Sequence, residues 1–107
     1  MPFLDPWSKA NKEIAPCIKI RTAWGEKIMM SFVDFAPNSS VPKHSHPHEQ
    51  MGMVLKGEIE FVIDNEHKTL KEGGTYLIPS NVEHSARSSG EEALALDIFS
   101  PPREDYK

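Results

Sequence analysis

From Cys17 onward, apolar and polar residues alternate in short runs separated by turn-forming residues. The runs are Cys17 to Ala23, Lys27 to Ala36, Gln50 to Lys56, Glu58 to Asp64, His67 to Lys71, Thr75 to Ile78, Glu83 to Ser88 and Ala93 to Ser100. Between them stand Trp24-Gly25, Pro37-Asn38-Ser39-Ser40, Lys56-Gly57, Asp64-Asn65, Glu72-Gly73-Gly74, Pro79-Ser80-Asn81 and Ser88-Ser89-Gly90. Period-two alternation bounded by such residues predicts strands, and many short strands at this spacing predict an all-β sandwich, jelly roll or barrel. Only Ser8 to Ile14, with Ser8 as N-cap, predicts a turn or two of helix.

Two of these runs are apolar on both faces. In Gln50 to Leu55 the odd face carries Met51, Met53 and Leu55, while the even face carries Gln50, Gly52 and Val54. In Ala93 to Phe99, Leu94, Leu96 and Ile98 share one side and Ala93, Ala95, Asp97 and Phe99 the other. A lone small barrel wets its outer face, so this pattern predicts a second copy over it, in a homodimer. The alternative is that the N-terminal segment covers these strands.

A chain of 107 residues, 38% hydrophobic and 26% charged, holds one core. Residues 1–15 read as an N-terminal arm and 16–107 as the barrel domain. The net charge of −4 gives no basic surface for nucleic acid. Cys17 is the single cysteine, so no intrachain disulfide forms. The N-terminus lacks a basic region followed by an apolar run, and no apolar stretch approaches the roughly 20 residues of a membrane helix. The expectation is a cytoplasmic protein with neither membrane nor nucleic-acid partners.

Four of the five histidines fall in two clusters, His44-Ser45-His46-Pro47-His48-Glu49-Gln50 and Asn81-Val82-Glu83-His84. On a strand, residues i and i+2 face one way, so His44 and His46 can reach one ion, with Gln50 at matching parity. His84 would arrive from a distant strand behind a proline turn. Imidazole with an amide oxygen suits one divalent transition metal, whether zinc, nickel, iron or manganese. Pro47 breaks regular pairing beside His48, which places His48 at the mouth of the site or on the surface. His67 reads as a solvated turn residue.

These spacings resemble the two motifs of the cupin superfamily. The first, G-x5-H-x-H-x3/4-E-x6-G, is matched by Asn38, His44, His46, Gln50 and Gly57. The second, G-x5-P-x-G-x2-H-x3-N, is matched by Gly73, Pro79, Asn81, His84 and Ser88. The resemblance implies a single-domain cupin, a double-stranded β-helix or jelly-roll barrel, with a metal held inside by His44, His46, Gln50 and His84. Asn38 and Asn81 stand where the motifs have glycine, a mild change because asparagine tolerates left-handed backbone. Gln50 replaces the usual glutamate. A neutral ligand leaves the ion its full charge, which favours Lewis-acid chemistry over redox chemistry.

The run from His44 to Gln50, followed by Gly52, and the tail Leu96-Asp97-Ile98-Phe99-Ser100-Pro101-Pro102-Arg103-Glu104-Asp105-Tyr106 resemble those of KdgF-like small cupins of pectin and alginate breakdown. That resemblance implies a small anionic sugar-like substrate, a 4,5-unsaturated uronate monosaccharide, opened to its linear 4-deoxy-5-keto form. It also implies that Asp97 shuttles the proton, Phe99 packs on the sugar, and Arg103 pairs with the substrate carboxylate or orients Asp97. On the residues alone, Asp97 reads equally well as a solvated strand residue and Arg103 as a surface charge. Two other readings are a non-catalytic cupin that anchors an acidic ligand through its metal, and a cupin enzyme of another kind (polyketide cyclase, sugar isomerase or dioxygenase).

Overall fold

Burial follows the two-residue period along several of the strands. The computed structural model describes residues 2–107, and the clearest case is β3 (Met29–Phe35). It buries Met29, Ser31, Val33 and Phe35, and leaves Met30 exposed and Phe32 and Asp34 half-exposed. The other strands are β1 (Lys12–Ala15), β2 (Ile18–Trp24), β4 (Ser40–His44), β5 (Glu49–Lys56), β6 (Ile59–Ile63), β7 (Glu66–Leu70), β8 (Thr75–Ile78), β9 (His84–Ser88) and β10 (Ala93–Ser100). One sheet runs β1-β2-β3-β10-β5-β8 and the other β4-β9-β6-β7. Every pairing is antiparallel. The inner faces supply one core that includes Ile18, Ile20, Phe35, Val54, Ile59 and Ile78. This is the jelly-roll barrel that the motifs imply.

Turn chemistry closes the barrel where expected. Asn38 and Asn81 adopt φ of 55° and 66°, so each takes the left-handed backbone of the motif glycine it replaces. Gly57 has φ of 76°, and a Cβ there would lie 2.5 Å from the Glu92 carbonyl oxygen, which admits no side chain. Ser88 accepts from the Ser39 amide at 3.0 Å and donates to the Ala36 carbonyl at 2.7 Å. That position thus ties the turn before β4 to the end of β9.

The structure differs from the sequence expectations in several places. Ser8 to Ile14 is not helical: a 3-10 turn occupies Pro6–Ser8, and β1 follows because the free edge of β2 pairs with Lys12 and Glu13. Ser40–His44 forms an unforeseen strand; β4 ends its sheet, where Pro42 costs no ladder hydrogen bond. His44 is the last residue of β4 and His46 lies in the loop beyond it, so the two do not share a strand. His67 sits on β7 opposite Val62, although it is exposed as expected. On β10 and β5 the more apolar face points outward: Ala93, Ala95, Phe99 and Val54 are buried, whereas Met51, Met53 and Leu55 are exposed. Among the described residues no helix is long and apolar enough to cross a membrane.

Candidate functional site

Three elements bring the histidines together. His44 ends β4 and stands opposite His84, which opens β9. His46 is brought in by the loop leading to β5, and the Asn81 amide donates to the His46 carbonyl at 2.8 Å, linking the two histidine-bearing turns. One ring nitrogen from each of His44, His46 and His84 lies within 4.8 Å of the others. Three imidazoles so placed can hold a metal ion.

Hydrogen bonding fixes their tautomers. Nδ1–H of His44 donates to the Pro42 carbonyl at 2.9 Å, that of His84 to Val82 at 2.9 Å, and that of His46 to His48 at 3.0 Å. Each neutral ring therefore keeps its lone pair on Nε2. Burial first, then the nearby charges of His44, His46 and Arg103, pushes His84 down to about 4. Burial and the Arg103 charge also hold His46 below its ordinary value. Both rings are thus neutral at pH 7.

Gln50, the second residue of β5, is buried and completes the cluster. Its carboxamide acts on Asp97 to lower that acid, and since a carboxylate can only accept, this is the NH2 end of the amide. Its oxygen Oε1 then faces His46 Nε2 at 3.0 Å. Two acceptors at that separation repel unless a cation lies between or beside them. This donor set, three imidazole nitrogens and one amide oxygen, fits a divalent transition metal.

One cavity joins this cluster to Asp97 and Arg103. His44, Gln50, His84, Asp97, Phe99 and Arg103 line it, with apolar walls from Val33, Phe35, Phe61 and Ile78. Asp97 takes an inward position on β10, and its withdrawal from water raises it to about 6, against the opposing effects of hydrogen bonds from Tyr76 and Gln50 and the Arg103 charge. Phe99 is buried, with its ring 5.6 Å from that of His46. Arg103 is buried too, not a surface charge, and its guanidinium pairs with Asp105 at 3.0 Å. His48 lies beside His46, with ring centroids 5.5 Å apart, but outside the three-histidine cluster.

The structure adds residues that sequence reasoning passed over. Tyr76 donates its hydroxyl to Asp97 Oδ1 at 2.5 Å. Tyr106 reaches the cavity from a 3-10 turn at Glu104–Tyr106, held by Thr22 Oγ1–H donating to the Tyr106 carbonyl at 2.9 Å. Mid-strand Gly52 was the available signal, since glycine in a strand marks a close approach.

Comparison with known proteins agrees with this geometry. Residues 31–99 match the Cupin domain family. The chain is 35% identical to the pectin degradation protein KdgF of Dickeya dadantii (strain 3937), over 97% of this chain and 96% of that one. The structure of KdgF from Halomonas sp. superposes with a TM-score of 0.90 at 26% identity, covering 98% of this chain and 97% of that one. An RmlC-like cupin from Shewanella frigidimarina NCIMB 400 gives a TM-score of 0.91 at 25% identity, covering 100% of this chain and 96% of that one. The chain therefore belongs to the cupin family, as a small single-domain member resembling KdgF over nearly its whole length.

Proposed function

We propose that this protein is a metal-dependent, non-redox enzyme that opens 4,5-unsaturated uronate monosaccharides to linear 4-deoxy-5-keto-uronates. The observation that carries the reading is the shared cavity: His44, Gln50 and His84 of the donor cluster, a carboxyl group raised toward neutrality, and a buried guanidinium all face it. The likeness to a pectin degradation protein supports the substrate class.

Arg103 binds the substrate carboxylate and orients the ring. Asp97, as carboxylate, takes the proton of the C1 hydroxyl while the C1–O5 bond breaks; C1 becomes an aldehyde and the electron pair passes to O5. The C5 enolate then gains at C4 the proton that Asp97 now carries, and C5 becomes a ketone. The step is an isomerisation, so atoms and charge balance without an oxidant. A group with pKa about 6 can hold and release that proton near pH 7. Phe99 packs on the sugar and keeps water from the floor of the site. A divalent ion held by His44, His46, Gln50 and His84 would supply Lewis-acid stabilisation of the charge developing at the C5 oxygen.

The test adds metal-loaded protein to freshly prepared unsaturated uronate and follows loss of the double-bond absorbance. A rate above the uncatalysed ring opening is expected. Tight binding of the sugar with no added rate would replace this reading with that of a non-catalytic binder.

We also infer that a second copy covers the outer face of the six-stranded sheet. Met30, Ile98, Met51 and Leu77 fall in one register row across β3, β10, β5 and β8, and Phe32, Leu96 and Met53 in the next. Trp7 shields the Phe32 end, with ring centroids 5.2 Å apart, while Met51 and Leu77 remain 56% and 48% exposed. Contiguous apolar surface of this kind marks an interface.

A further inference from the structure

Asp97 has two neighbours across the inner face of its sheet, Ser31 on β3 and Gly52 on β5. Gly52 stands in turn opposite Tyr76 on β8. A Cβ at position 52 would lie 2.3 Å from both Cζ and Oη of Tyr76, far inside van der Waals contact. The missing side chain is therefore the space in which the tyrosine ring lies, and through which its hydroxyl reaches Asp97 Oδ1 at 2.5 Å. On the opposite side, Ser31 Oγ is wholly buried and has no partner among the described residues. Asp97 thus sits between an engaged donor and an idle one. Its carboxylate is held toward β8. Burial, followed by the Asp97 charge, raises the Tyr76 phenol well above its ordinary range, so it stays an O–H donor at working pH and does not compete as an acid.

We propose that Tyr76, seated in the gap left by Gly52, is a positioning residue that fixes one oxygen of Asp97, so that the proton reaches a single face of the substrate carbon. This rests on the ring-opening reading. Without the hydroxyl, the carboxylate has the neighbouring Ser31 to turn to, and its aim is lost.

Tyr76→Phe keeps the ring that fills the gap and removes only the donor, so folding is preserved. With unsaturated uronate in D2O, wild type should place deuterium on one face of C4, read by NMR at early times. Tyr76→Phe should give both faces, with kcat lowered roughly 10- to 100-fold and KM within about twofold. Gly52→Ala, which forces the ring aside, should lose kcat in the same way. A second measurement needs no substrate: in zinc-loaded protein, side-chain couplings of Asp97 should report one rotamer in wild type and a shifted or averaged one in Tyr76→Phe. An unchanged rotamer, or unchanged single-face deuteration at full kcat, overturns the proposal. If wild type does not accelerate ring opening at all, the functional reading fails alone, and the rotamer still decides the role of Tyr76.

Discussion

The guanidinium carbon of Arg103 lies 3.8 Å from the centroid of the Tyr106 ring and 5.3 Å from that of Phe99. A planar cation stacked on the Tyr106 ring beside the edge-on Phe99, with Nε and Nη2 tied to Asp105, leaves Nη1 to meet a carboxylate in a fixed plane, which a lysine ammonium on a flexible stem does not reproduce. Arg103→Lys should therefore raise KM for an anionic sugar about tenfold or more while metal content stays unchanged. Steady-state kinetics with metal analysis checks both halves.

The contact between Gln50 Oε1 and His46 Nε2 makes a prediction about the metal. Gln50→Ala removes one of the four proposed donors, and should weaken binding roughly 10- to 100-fold in a competitive chelator titration. Gln50→Glu adds a negative charge, so it should tighten the metal while slowing turnover, because a less positive ion stabilises an enolate less well.

Asp97→Asn keeps the shape of the side chain and removes its acid–base chemistry. Turnover should fall by roughly two to four orders of magnitude with the metal still bound. Full activity in this variant would take Asp97 out of the mechanism.

At the site, the buried histidines and Asp97 act in opposite directions on the acid stability of the metal-free protein. His84 drops from 6.5 to about 4 on folding, so between those values the unfolded chain binds the extra proton and stability is lost as pH falls. Asp97 rises from 3.8 to about 6, so over its window the folded chain binds the extra proton and stability is gained as pH falls. The two effects largely offset in wild type. Asp97→Asn removes the opposing group and leaves the loss from His84 and from His46, which is also lowered, so its melting temperature should drop more steeply than that of wild type between pH 6 and pH 4.

If a second copy covers the sheet, Met51→Glu should yield monomers by sedimentation while leaving the fold intact, because position 51 points away from the core. A wild-type protein that is already monomeric at micromolar concentration would remove the dimer from the account.

The fold and the metal-donor candidates are legible in the chain because both are written in local spacing. Two motifs group His44, His46, Gln50 and His84 by spacing alone, and alternation locates eight strands to within a residue or two. What stays hidden depends on which way a strand faces. In β10 the sequence makes Leu94, Leu96 and Ile98 look like core, yet small Ala93 and Ala95 are the buried ones, since the barrel interior must leave room for a cavity. Tyr76 is invisible for a related reason. Its role arises from a partner on β10, reached across a glycine on β5, and no periodicity within Thr75 to Ile78 encodes that.

The Asn81 amide, bound to the His46 carbonyl, joins the loop before β5 to the turn before β9. Neither loop can swing outward without freeing this one proton to exchange with solvent. Hydrogen–deuterium exchange at Asn81 is consequently a single-site gauge of whether the pocket is intact, and ligands that stiffen the pocket will slow that exchange without touching the residue itself.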